Sequence, residues 1–87
     1  MVLKEIEVKK TDGVQNGDAQ TIVQRAMRYD SEIFFEHNTR KINAKSLMGV
    51  ISMGLKAGDK VMVIIKGHDQ DEALADIENI FAKNFKI

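Results

Sequence analysis

A serine at the head of a short apolar run is the residue of this chain best placed for chemistry. Ser46 lies in Asn43-Ala44-Lys45-Ser46-Leu47-Met48-Gly49-Val50, where a strand-like pattern gives way to a helix-like one. A hydroxyl there can cap the helix by accepting a hydrogen bond from a free backbone N–H. It can also take a phosphoryl group, whose added charge of roughly −1.5 to −2 would meet the helix's positive end. The two histidines offer less. His37 and His68 have no second histidine or cysteine at ligand spacing, so neither reads as a metal ligand or catalytic base. Asp12 and Asp18 could form a paired-carboxylate acid–base site, but turn and capping roles explain both more simply. The residues therefore predict no enzyme active site, no cofactor and no metal.

The composition sets the frame for that serine. The chain has 87 residues, enough for one small domain over residues 1–87. Thirteen basic and 13 acidic side chains cancel, which argues against direct nucleic-acid binding, since that would call for a basic surplus. The same neutrality leaves little electrostatic protection against self-association, so a homodimer is open. With no cysteine there is no disulfide framework, thiol nucleophile or thiolate metal site. No apolar run approaches the roughly 20 residues of a membrane span. The start, Met-Val-Leu-Lys-Glu-Ile-Glu, does not resemble a signal peptide, and a cytoplasmic location is expected.

The elements that must position Ser46 follow from periodicity. Val2 to Lys9 alternates, with Ile6 and Val8 on one side and Glu5, Glu7 and Lys9 on the other, as in a strand with one wet face. Thr11-Asp12-Gly13 is turn chemistry. From Asp18, Ala19, Ile22, Val23, Ala26 and Met27 fall at helical spacing, and Asn16 or Asp18 is expected to cap that helix. Ser31 to Glu36 reads as a second strand, with Ile33 and Phe35 opposite Phe34. His37-Asn38-Thr39 reads as a turn and Arg40 to Ala44 as a third strand. A short helix runs from Ser46 to about Met53, closed by Gly54 or the Gly58-Asp59 turn. Lys60 to Lys66 is the fourth strand. Asp69, Gln70 and Asp71 open a last helix whose buried stripe is Ala73, Leu74, Ile77, Ile80 and Phe81. The order βαββαβα, with one apolar face per strand, predicts an α+β fold with helices on one side of an antiparallel sheet.

The short helix has two apolar sides. At 100° per residue, Val50 and Met53 lie within about 60° of each other, while Leu47, Met48 and Ile51 cluster roughly 135° away. One stripe is enough to hold a helix to a core. The other is either additional core or a docking patch beside Ser46, in which Met48 supplies an adaptable contact. On the sheet face turned away from the helices, Phe34, Met62 and Ile64 could promote sheet-to-sheet pairing.

The element order, Gly13, Asn43-Ala44-Lys45-Ser46-Leu47-Met48-Gly49, Gly54-Leu55 and the Gly67 to Ala73 entry to the last helix together resemble the HPr family. These are the small phosphocarriers of the bacterial sugar phosphotransferase system. The resemblance covers nearly the whole chain. It implies an open-faced β-sandwich, a four-stranded antiparallel sheet with three helices on one face. The family's carrier motif is Gly-Leu-His-(Ala/Thr)-Arg-Pro-Ala, and the matching stretch here is Gly13-Val14-Gln15-Asn16-Gly17-Asp18-Ala19. Gln15 stands where the phosphorylated histidine belongs, and a carboxamide has no comparable nucleophilic nitrogen. Gly17 replaces the phosphate-binding arginine and Asp18 replaces the proline. All three changes oppose phosphocarrier activity at this loop.

The serine segment is retained. The resemblance is nearest to the Crh (catabolite repression HPr) type, which also carries glutamine in place of the histidine. It implies phosphorylation of Ser46 by an HPr kinase/phosphorylase, docked on Lys45, Leu47, Met48 and Ile51. It also implies a role in carbon catabolite regulation through a transcriptional repressor or a metabolic enzyme. Crh keeps the arginine and proline that Gly17 and Asp18 replace here, so this chain lacks an arginine that takes part in the repressor complex. Two other functions stay open: a phosphocarrier with a non-standard acceptor, and a structural or enzyme-binding module in which Ser46 is only a cap. The tail holding Phe85 and Ile87 has no assigned role.

Overall fold

The computed structural model describes residues 1–86. In chain order its elements are β1 (Val2–Glu7), α1 (Asn16–Ala26), β2 (Glu32–His37), β3 (Arg40–Asn43), α2 (Leu47–Ser52), β4 (Lys60–Lys66) and α3 (Gln70–Ala82). The four strands form one sheet in the order β1-β4-β2-β3 with every neighbour antiparallel. β4, the fourth strand read from the sequence, lies between β1 and β2. It pairs with β1 from Val2 opposite Ile65 to Glu7 opposite Lys60, and with β2 from Glu32 opposite Lys66 to Glu36 opposite Met62.

Strand alternation decides which side chains enter the core. Ile33, Phe35, Val61, Val63 and Ile65 share the inner face and are fully buried. The helices cover that face with Ala19, Ile22, Val23 and Ala26 of α1, Val50 of α2, and Ala73, Ile77, Ile80 and Phe81 of α3. This is the four-stranded antiparallel sheet with three helices on one side that the sequence pattern implied. On the outer face, Leu3, Ile64 and Phe34 form one cross-strand row, with the Lys41 ammonium 4.8 Å above the Phe34 ring.

Several boundaries differ from the periodicity reading. β1 ends at Glu7, because Val8 turns from strand pairing to the loop: its N–H donates to the Asp59 carbonyl at 2.8 Å and its carbonyl accepts from Gly58. His37 is the last residue of β2 and pairs with Arg40, so the turn is the two residues Asn38 and Thr39. Both have positive φ, 49° and 66°, the conformation whose twist matches a two-residue hairpin. Met27 is not part of the α1 stripe; it caps the helix C-terminus and is 65% exposed. Leu74 is half-buried at the edge of the α3 stripe. Phe85 of the tail is buried, and its ring meets Phe81 edge-on with centroids 4.9 Å apart. The tail therefore folds back to close the core, while Ile87 lies outside the described residues.

Candidate functional site

Ser46 is exposed and forms the N-cap of α2, with extended backbone at φ −101° and ψ 114°. Its Oγ accepts a hydrogen bond from the Gly49 N–H at 3.1 Å. Asn43 sets up this entry: its side-chain oxygen accepts from Lys45 N at 2.8 Å, and its carbonyl accepts from Ser46 N at 2.9 Å. Gly49 keeps the space around the hydroxyl open. A Cβ on it would stand 3.2 Å from Ser46 Oγ and 3.4 Å from the Ile42 side chain.

The two apolar sides of α2 have different fates. Val50 and Met53 are buried in the core. Leu47 and Ile51 are half-buried against it, and Met48 is 73% exposed. Leu47 also borders a shallow groove of about 210 Å³ shared with Gln20, Val23 and Gln24 of α1. The second stripe thus grades from core contact at Leu47 and Ile51 to open surface at Met48, two residues after the serine. Lys45 points elsewhere: its ammonium donates to the Tyr29 carbonyl beyond the end of α1 at 2.6 Å. In this structure it ties the Ser46 segment to α1 and does not stand beside the hydroxyl as a counter-charge.

The Gly13–Asp18 loop packs beside the exit of α2. Val14 N donates to the Leu55 carbonyl at 2.9 Å. Gly13 has φ +71°, and a Cβ on it would fall 2.6 Å from that carbonyl oxygen, so only glycine fits. α1 begins at Asn16, with Gln15 as its N-cap. Neither Asn16 nor Asp18 is the cap residue; Asp18 acts from the third helical position, where its carboxylate accepts the Gln15 N–H at 2.9 Å. The Gln15 amide donates to the Asp12 carbonyl. Lys10 bridges both flanking carboxylates, 2.6 Å from Asp12 and 3.1 Å from Asp18. Hydrogen bonds to Asp12 and then Asp18 push the Lys10 ammonium up, and the lysine in turn holds Asp12 below the usual carboxylate range. An internal carboxylate therefore sits at the start of α1, and Asp12 and Asp18 share the Lys10 ammonium between them. Gly17 is exposed, with open space where a Cβ would stand.

Two networks escaped sequence reasoning. Asp69, the N-cap of α3, accepts from Asp30 N at 2.9 Å, from Ser31 N at 3.0 Å and from the buried Ser31 hydroxyl. The Ser31 hydroxyl and those backbone donors hold the Asp69 carboxyl at about 2. His68 Nε2 lies 2.9 Å from Asp30, so His68, Asp30 and Asp69 cluster at this pole. The second network joins α1 to α3: the Tyr29 hydroxyl donates to Asp76 at 2.6 Å, and Arg25 pairs with the same carboxylate at 3.2 Å. The Asp76 hydrogen bond and burial push the Tyr29 phenol up to about 12. No helix of the described residues is long and apolar enough to cross a membrane.

A small α+β sheet covered on one face, with a capped serine helix beside a Gly-initiated loop, defines a class of compact open-faced sandwiches. A family model described as the PTS HPr component phosphorylation site matches residues 2–83, and the chain belongs to the HPr family. The HPr-like protein Crh of Halalkalibacterium halodurans is 43% identical over 74 residues, covering 85% of this chain and 88% of that one. The crystal structure of HPr-C-His from Thermoanaerobacter tengcongensis superposes with a TM-score of 0.93 at 33% identity, covering 98% of this chain and 96% of that one. Crh of Bacillus subtilis, described as a domain-swapped dimer in its crystal, matches with a TM-score of 0.76 at 34% identity over the full length of both chains.

Proposed function

We propose that this chain is a regulatory HPr-family protein, phosphorylated on Ser46 by an HPr kinase/phosphorylase and inactive as a histidine phosphocarrier. The observation that carries the reading is the exposed Ser46 hydroxyl at a helix start, with Met48 open beside it. The kinase docks on Leu47, Met48 and Ile51. The Ser46 oxygen attacks the terminal phosphorus of a nucleoside triphosphate in line; the bond to the diphosphate breaks, and the hydroxyl proton passes to a base of the kinase. The phosphoserine keeps an acceptor near the Gly49 N–H and adds negative charge at the start of α2. A catabolite-control repressor or a metabolic enzyme then reads that face. Self-association as a homodimer is part of the same proposal, supported by the dimeric Crh relative.

The opposing argument for the carrier loop is chemical. Gln15 supplies no nucleophile, and Asp18 places a carboxylate at the start of α1, where it would repel a phosphoryl group. The reading in which Ser46 is only a cap draws on the 3.1 Å bond from Gly49, but capping leaves the hydroxyl able to react. Labelling from two donors separates the readings. With labelled phosphoenolpyruvate and the first enzyme of the phosphotransferase system, no label should enter the protein. With labelled ATP and the kinase, label should enter stoichiometrically. The reverse pattern would establish a carrier, and no label from either donor would leave Ser46 a structural cap.

A further inference from the structure

We infer that the cleft between the β2–β3 hairpin and the exit of α2 is a binding site for a small phosphate monoester that carries a hydroxyl group. The cleft measures about 310 Å³ and is lined by His37, Asn38, Arg40, Met53, Gly54, Lys56 and Asp59. That volume is at the lower end of small-molecule sites and suits a ligand of a few heavy atoms around one phosphate. It is distinct from the Ser46 surface and does not depend on the phosphorylation reading.

Charge and donor geometry select the ligand. Arg40 donates to the Ser52 carbonyl at 2.7 Å and to the Ser52 hydroxyl at 2.9 Å. Those two bonds pin the guanidinium while leaving three of its five N–H donors uncommitted. A pinned guanidinium suits oxyanion recognition because little side-chain freedom remains to be lost. Lys56 brings a second cation, and its ammonium makes no ion pair among the described residues. The one carboxylate in the lining, Asp59, is already engaged: it accepts the Lys56 backbone N–H at 2.8 Å and lies 3.6 Å from His37 Nε2. One pinned guanidinium and one uncommitted ammonium against one occupied carboxylate favour an anion.

The hydroxyl requirement comes from the other wall. His37 Nδ1 lies 2.9 Å from the Lys60 carbonyl, which can only accept, so Nδ1 carries the proton. With the proton on Nδ1, Nε2 presents a lone pair at the cleft, 3.6 Å from the Asp59 carboxylate, so that a single donor can serve both. These groups match a hydroxyl donor attached to the phosphate-bearing body. Buried Met53 forms an apolar lining surface.

The test is a heteronuclear NMR titration of the full chain with inorganic phosphate and with glycerol 1-phosphate, ionic strength held constant with sodium chloride. The inference expects saturable shifts centred on His37, Asn38, Gly54 and Lys56, with glycerol 1-phosphate binding more tightly than phosphate. Lys56→Ala should weaken both by about tenfold, the value of one charge-assisted contact. Lys56 contributes only its backbone to the fold's hydrogen bonds, so this variant should stay folded; Arg40→Ala, read by the same titration, is the second variant. Shifts that fail to saturate, that centre elsewhere, or that persist unchanged in Lys56→Ala would overturn the inference, as would equal binding of the two probes.

Discussion

Replacing Ser46 by alanine tests how the serine is held before any kinase acts on it. The substitution deletes the acceptor that Gly49 N uses at 3.1 Å and leaves the backbone free to stay in place. Loss of a serine N-cap costs about 0.5–2 kcal/mol. The lower half of that range applies here, because Ser46 is exposed and water can reach the Gly49 N–H. α2 has only six residues, but Val50 and Met53 anchor it in the core, so the helix should persist in the variant. A loss of about 1 kcal/mol lowers the melting temperature of a domain this size by about 4–8 °C. Ser46→Asp keeps an oxygen acceptor and adds a negative charge where the helix dipole favours it, so it should match the wild type within about 0.5 kcal/mol. Thermal unfolding followed by far-ultraviolet circular dichroism measures all three proteins. If Ser46→Ala melts with the wild type while Ser46→Asp falls, the hydroxyl is not the cap and the reasoning fails.

The remaining predictions concern the networks around the site. Tyr29 is the only tyrosine, so an ultraviolet titration reads it directly; ionisation should centre near 12, and Asp76→Asn should bring it down by removing the carboxylate that holds the phenol proton. The Asp69 carboxyl is held at about 2, below its unfolded value near 3.9, so its contribution is present above pH 5 and lost as pH falls toward 2. Asp69→Asn should flatten that part of the acid-unfolding profile, and a profile identical to the wild type's would refute the assignment. Phe85→Ala should cost about 3 kcal/mol in urea unfolding, whereas a merely trailing tail would cost almost nothing.

How legible this molecule was in its sequence depended on the range of each interaction. Strand alternation in Lys60–Lys66 and helical spacing in α1 and α3 carry their burial directly, because the period of the side chains is the period of the backbone. The Ser46 cap was legible for the same reason, since donor and acceptor are three residues apart. The cap of α1 was misplaced because Gln15 is not a typical cap residue; the signal was Asp18 three positions on, which completes the reciprocal bond from within the helix. Contacts made by the tips of long side chains left no periodic trace. Lys45 reaches the Tyr29 carbonyl and Arg40 reaches Ser52, so neither could be located from spacing. Asp69 with Ser31 and Tyr29 with Asp76 are 38 and 47 residues apart in sequence and meet only once the sheet has formed. Phe85 falls in no element pattern of the sequence, yet its buried ring packs edge-on against Phe81 and closes the core.

The central claim is that Ser46 is the phosphoryl acceptor and that the Gly13–Asp18 loop is not. Intact-mass spectrometry after incubation with an HPr kinase and ATP, run on the wild type beside Ser46→Ala, tests it most directly. The account predicts one added phosphoryl group on the wild type and none on the variant. An unmodified wild type, or a phosphoryl group that persists in Ser46→Ala, would contradict it.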